Sequence, residues 1–146
     1  MAHSSTELLI DYWQARISDG QAPSRASINP VDFPTLLPQV FILGRQGPGE
    51  YSFRLVGGLV GDLHGRDLRD IGFSSLWAQS ARLPLQTEME RIRRRPAASR
   101  IAARMEAGIH TLDLEIALMP LANAAGEVDR FLGIYQPRRR ATGWRG

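Results

Sequence analysis

Three histidines, fifteen carboxylates and no cysteine set the chemistry open to this 146-residue chain. Without cysteine there are no disulfides, no thiolate metal sites and no sulfur nucleophiles. The nearest thing to metal-ligand spacing is Asp62, His64 and Asp67. A helix broken by glycine splays such side chains, so surface polar residues around a turn are the simpler reading. Gly57-Gly58-x-x-Gly61 resembles a phosphate loop, yet it lacks the Lys-Ser/Thr pair and the crossover to a parallel strand. It reads as a strand-to-helix turn. Arg91 and Arg95 stand four apart, a spacing used by cyclic dinucleotide receptors, but the further Asp/Asn-Ser-Gly element is missing. A solvated helix C-terminus explains them, with cations on the negative end of the dipole. Proton transfer in a small α+β isomerase or dehydratase needs an Asp and a His together in an apolar pocket. Asp113 and Glu115 alternate opposite leucines and so belong to an outer face. A buried, hydrogen-bonded Asp–His pair is what that alternative requires.

The charge balance bears on nucleic acid. All 18 basic residues are arginine, and the formal net charge is +3. With little to titrate between histidine and arginine, the isoelectric point drifts up to ≈ 10.1. Four arginines, Arg138, Arg139, Arg140 and Arg145, follow Pro137 with no acid among them. The remaining 14 arginines face 15 acids, which leaves residues 1–137 at −1. Binding to nucleic acid or an anionic surface through arginines is therefore a second, weaker alternative, since four tail charges give only salt-sensitive attraction. Val40–Leu43 is the longest run of large apolar residues, far short of the ~20 needed to span a bilayer. The N-terminus has neither the basic nor the apolar part of a secretory signal. A cytoplasmic protein without membrane insertion is expected, and the absence of cysteine agrees with a reducing compartment.

The elements that must position these residues can be read from pattern. Ser4 and Glu7 form a capping box, and Leu8, Leu9, Tyr12, Trp13 and Ile17 make an apolar stripe on the helix that follows. That stripe must cover its own sheet or meet a second copy as a homodimer, so Leu8, Leu9, Tyr12 and Trp13 are candidate partner-interface residues. Asn29-Pro30 starts a short helical turn. Val40–Arg45 and Tyr51–Leu55 form a hairpin across Gly47-Pro48-Gly49. Short helices are expected at Leu59–His64 and Asp70–Trp77, and a longer one at Ser80–Arg95, stopped by Pro96. Three strands follow, around Ile101–Met105, Leu112–Leu118 and Val128–Tyr135. Helix, two strands, a block of helices, then three strands describes an α+β fold with an antiparallel sheet and the helical block on one of its faces.

This order resembles a PAS domain, and the residues are similar to the single-domain PAS-like proteins common in alphaproteobacteria. The similarity is carried by Tyr12-Trp13, by residues 32–38 (DFPTLLP), 51–57 (YSFRLVG) and 65–68 (GRDL), by Leu76-Trp77, and by 114–121 (LEIALMPL) and 129–133 (DRFLG). It covers about residues 7–136, and Asp70-Ile71-Gly72-Phe73 departs from the more polar turn usual there. The resemblance implies a five-stranded antiparallel sheet with short helices on one face, an extra N-terminal helix, and a pocket between sheet and helices. It implies a bacterial sensory or regulatory module that binds a small ligand and passes its state, through the first helix or the outer sheet face, to a separate signalling protein such as a histidine kinase. The expected divisions are an amphipathic helix over 1–20, a PAS-like core over 21–137 and a basic, disordered tail over 138–146, with no output domain. Phe53, Leu55, Leu63, His64, Phe73, Leu76, Trp77, Leu112, Leu114 and Ile116 are the candidate pocket residues. Flavin photochemistry and chromophore attachment through sulfur are excluded by the missing cysteine, while noncovalent flavin stays open. Haem is disfavoured, because His64 closes a short helix, His110 opens a strand, His3 is terminal, and none lies on the long helix where such a fold places an axial ligand.

Overall fold

The structure is a computed structural model that describes residues 4–107 and 109–138. His3 and the tail arginines beyond Arg138 lie outside the described residues. The chain begins with α1 (Ser5–Gln14), whose start is fixed by the expected capping box: Glu7 N–H donates to Ser4 Oγ at 3.1 Å and Ser4 N–H to Glu7 Oε1 at 3.0 Å. Three short 3₁₀ turns lead into β1 (Val40–Gly47) and β2 (Glu50–Val56). Then come α2 (Gly58–His64), a 3₁₀ turn at Ser74–Leu76, and α3 (Gln79–Arg94). The strands β3 (Ser99–Ala107), β4 (His110–Ala122) and β5 (Val128–Pro137) finish the fold. All five strands form one antiparallel sheet in the order β2-β1-β5-β4-β3. None of the described helices is long and apolar enough to cross a membrane.

Because strand side chains alternate between faces, the sheet serves two cores. Its inner face gathers Phe41, Leu43, Phe53, Leu114, Ile116, Leu118, Phe131 and Tyr135 under α2 and α3. Its outer face gathers Val40, Ala117, Met119, Leu121, Leu132 and Ile134 under α1 and the 3₁₀ turns. Leu9 and Trp13 of α1 are fully buried there, and Trp13 Nε1 donates to Pro120 O at 2.9 Å. The apolar stripe thus covers its own sheet. Leu8 keeps an exposed side chain, and Tyr12 stays at the surface with its hydroxyl donating to Asp32 at 2.8 Å.

Three expectations are corrected. Leu55 does not share a face with Phe53: Ile42 pairs with Leu55 and Leu43 with Phe53, so Arg54 is an extra residue in β2. This bulge reverses the alternation, and Leu55 packs with the outer core. The helix expected over Asp70–Trp77 shrinks to Ser74–Leu76. Asp70 is left-handed (φ 66), which a helix cannot accommodate, and residues 69–73 instead run beside β2. Phe53 N–H donates to Ile71 O, Asp70 N–H to Phe53 O and Phe73 N–H to Tyr51 O, at 2.8–3.1 Å. Finally, Arg138 is not free of the fold. Its N–H donates to Asp113 O at 2.9 Å, and its guanidinium lies 3.3 Å from Glu115.

Glycine is required where Phe41 crosses β5. Phe41 pairs with Gly133, and a Cβ there would stand 2.1 Å from the ring. The ring lies across the bare backbone, which lets it reach the middle of the inner core.

Candidate functional site

The space expected between the sheet and the short helices is filled by rings. Phe41 sits 5.5 Å from both Phe53 and Phe73, centroid to centroid, and 5.3 Å from Tyr135. Phe73 is 6.0 Å from Trp77, and Trp77 is 5.7 Å from His64. Edge-on, tilted and stacked pairs of this kind add about 0.5–1.5 kcal/mol each beyond their buried area. Of the ten candidates, Phe53, Phe73, Leu112, Leu114 and Ile116 are buried members of this core, and Leu63, Leu76 and Trp77 pack half-buried against it.

His64 is brought to the cluster by α2, which ends one residue later at Gly65 in a left-handed cap (φ 66). Its Nε2 shares a 2.8 Å hydrogen bond with the Tyr135 hydroxyl. Burial pushes the Tyr135 phenol far above its usual range and, with the Arg66 charge adding a smaller effect, lowers the His64 imidazole. The pair is therefore held neutral. The partner of His64 is a phenol rather than a carboxylate, so it does not build the Asp–His dyad that an isomerase would use. Asp67, considered with it as a metal ligand, binds Arg69 at 3.2 Å. Among the described residues no three His, Asp or Glu side chains are grouped to hold a metal.

Open space lies to one side of the cluster, between α3 and β3. This cleft has a volume of ≈ 510 Å³, within the usual range for small-molecule sites. Phe73, Trp77 and Ile116 form its floor, and Ala81, Pro84 and Leu85 of α3 face Ile101, Ala102 and Ala103 of β3. Small side chains on both walls leave the space between helix and strand unfilled. Pro84 also lacks the N–H that would bond Ser80 O, which removes one helical hydrogen bond from the cleft wall. At one end Glu88 ties the walls together: it accepts from the Ser99 hydroxyl and from Arg91 at 2.7 Å. Those bonds, Arg91 first, hold its carboxyl at about 2. Arg100 and Arg104 line the strand side, paired with Glu115 at 2.9 Å and Asp113 at 2.8 Å. The buried Trp77 Nε1–H has no acceptor, an unmade hydrogen bond that costs about 1–3 kcal/mol while it stays dry.

Three of the ten candidates, Phe73, Trp77 and Ile116, line this cleft. The α3 and β3 residues were missed because each is ordinary alone. Only the run of alanines at 97, 98, 102 and 103 opposite Ala78 and Ala81 hinted at a gap. Tyr135 was missed as well, although its place at the end of the alternating Phe131-Gly133-Tyr135 face was the available signal.

Comparison with known proteins agrees with this architecture. A family model described as PAS domain matches residues 1–136. The fold is similar to the Rhodobacter sphaeroides LOV protein, with a TM-score of 0.57 and 12% identity over 78% of this chain and 70% of that one. It is also similar to an RNA-binding light-oxygen-voltage receptor, with a TM-score of 0.56 and 16% identity over 83% of this chain and 37% of the receptor. At such identities the likeness concerns the fold. A search among curated proteins found no match.

Proposed function

This chain belongs to the PAS domain family, and on that premise we propose that it is a sensory module whose small-molecule ligand enters the cleft between α3 and β3. The observation that carries the reading is the cleft itself: apolar walls over an aromatic floor of Phe73 and Trp77. The ligand that suits it has an apolar body. Noncovalent flavin and other planar heterocycles fall within that class, whereas cysteinyl adducts do not, since the chain has no cysteine.

A ligand touching Trp77 acts on a short physical chain. Trp77 packs on His64, His64 bonds Tyr135, and Tyr135 belongs to β5. The next residue, Gln136, accepts from Thr6 N–H at 3.3 Å in the first turn of α1. Occupancy of the inner side thereby reaches the helix that covers the outer side, and a separate signalling protein reads the surface that α1 presents, including Leu8 and Tyr12. No catalytic role is assigned to any residue.

Native mass spectrometry on freshly purified protein, paired with its denatured mass, tests the ligand. The expected result is an extra mass released on denaturation, lost in an Ala103→Phe variant that fills the cleft. A bare mass, together with no change in tryptophan fluorescence on titration with 8-anilinonaphthalene-1-sulfonate, would overturn ligand binding and leave protein docking as the function.

A further inference from the structure

β3 is the last strand on its side of the sheet. Its nine residues pair with β4 from Ser99↔Leu118 to Ala107↔His110 without a bulge. Among the described residues no other backbone group bonds to it. A straight, unpaired edge of this length is a template for another strand. The order of side chains along it says which strand fits.

Two copies related by a two-fold axis perpendicular to the sheet must pair antiparallel about one residue that faces itself. With Ala103 at the centre, Arg100 faces Glu106 of the second copy, and the symmetry makes that pair twice. Ile101 faces Met105 on the inner side, and Arg104 faces Ala102. Centring on Ala102 sets Arg100 against Arg104 twice, and centring on Arg104 sets that arginine against itself. Like charges directly opposite are destabilising in a sheet, so centring on Ala103 is favoured over the registers on either side of it. Glu106 is exposed and has no ion-pair partner among the described residues. Arg100 and Arg104, by contrast, are each paired across to β4. Glu106 is thus the carboxylate on this strand left without a cation.

We propose that the chain forms a homodimer by antiparallel pairing of β3 with β3 of a second copy, centred on Ala103, to give one continuous ten-stranded sheet. The added strand forms the outer wall of the cleft, whether or not a ligand fills it, so this inference stands apart from the ligand reading.

The test is sedimentation of the full chain between about 1 and 100 μM, with charge reversals. Wild type sediments as a dimer, and Glu106→Arg, which sets arginine against arginine, weakens dimerisation by about tenfold or more. Arg100→Glu alone does the same. Mixing the two variants restores a dimer, because each copy now offers the charge the other lacks. A second measurement does not depend on Arg100→Glu folding normally beside Glu115. In this cysteine-free chain, Ala103→Cys puts one thiol from each copy on the axis. Opposed antiparallel residues lie about 4.5–5.5 Å apart, inside the disulfide range of about 4.4–6.8 Å. Diamide should join the two introduced thiols of the Ala103→Cys dimer and leave the diagonal Ala102→Cys variant unlinked. A monomer at 100 μM, a dimer that Glu106→Arg leaves intact, or equal linking at 102 and 103 would each overturn the proposal.

Discussion

The two edges of this sheet are treated differently by the chain. Beside β2, residues 69–73 return as a strap that bonds Tyr51 and Phe53 through three backbone hydrogen bonds. Asp70 accepts a left-handed conformation so that the strap can turn, and Phe73 drops from it into the core with 1% of its surface exposed. Beside β3 nothing among the described residues returns. Near that edge α3 and β3 leave an alanine-lined cleft between them and are fastened through Glu88 and Ser99 at one end. An antiparallel sheet leaves two rows of unpaired N–H and C=O groups at its margins, and each must be covered, charged or used. Here one margin is covered by the molecule's own backbone. The other is left open, with Arg100, Arg104 and Glu106 spaced along it.

The largest effect separating the edges is expected at Phe73. Phe73→Ala removes the side chain that anchors the strap among Phe41, Phe53 and Trp77, and urea unfolding should show a loss of about 3–5 kcal/mol. No single residue of the β3 edge should match it. Next comes the fastening of α3 to β3. Glu88 titrates at about 2 in the fold and 4.5 as a free side chain. Its contribution is complete above pH 4.5 and disappears as pH falls towards 2. Glu88→Gln should cost about 1–2 kcal/mol at pH 7 and flatten the acid limb of the stability curve over that window. If the limb keeps its slope, the carboxylate is not what joins helix to strand. His64 acts at milder pH, its proton disfavoured first by burial and then by Arg66. Stability should hold above pH 6.5 and decline below it as the unfolded chain takes up the proton first, a decline that His64→Gln abolishes. Asp70→Gly relieves the left-handed turn of the strap and should gain or lose less than about 1 kcal/mol. Glu106→Arg should leave unfolding within about 0.5 kcal/mol of wild type when measured on the monomer. Hydrogen exchange sharpens the contrast: the amides of Phe53, Asp70 and Phe73 should be protected, and those of β3 that face away from β4 should exchange quickly at concentrations where the chain is monomeric.

Much of the fold was legible because single elements declare themselves. The alternation at Leu112, Leu114, Ile116 and Leu118 identified β4, and the Ser4–Glu7 box fixed the start of α1. Membership of the PAS fold followed from the order of elements. What stayed hidden was relational. Arg54 adds one residue to a strand whose letters alternate without fault, and only the pairing with Ile42 and Leu43 reveals the slip that sends Leu55 to the other face. The segment from Arg69 to Phe73 has helix-compatible letters, and its extended course is imposed by the open margin of β2. The cleft is defined by two surfaces separated in sequence, α3 and β3, and its existence depends on how small residues on each happen to face. Phe53 and Phe73 are buried in the inner core, with Trp77 packed against them. Whether such rings would enclose a void or fill it was a question of volumes that no periodicity encodes.

The indole of Trp13 bonded to Pro120 has a further meaning for how this molecule can be taken apart. Because α1 sets Leu9 and Trp13 into the second core, the strands are loaded from both sides, and the two sides should melt together. Heating should give one transition, with no plateau in which the inner core survives alone. For anyone grafting this unit onto another protein, the natural cut falls before Ser4 and not after Asp19. A graft that begins at the sheet would carry Met119, Leu121, Leu132 and Ile134 uncovered, and it would adhere to other proteins through them.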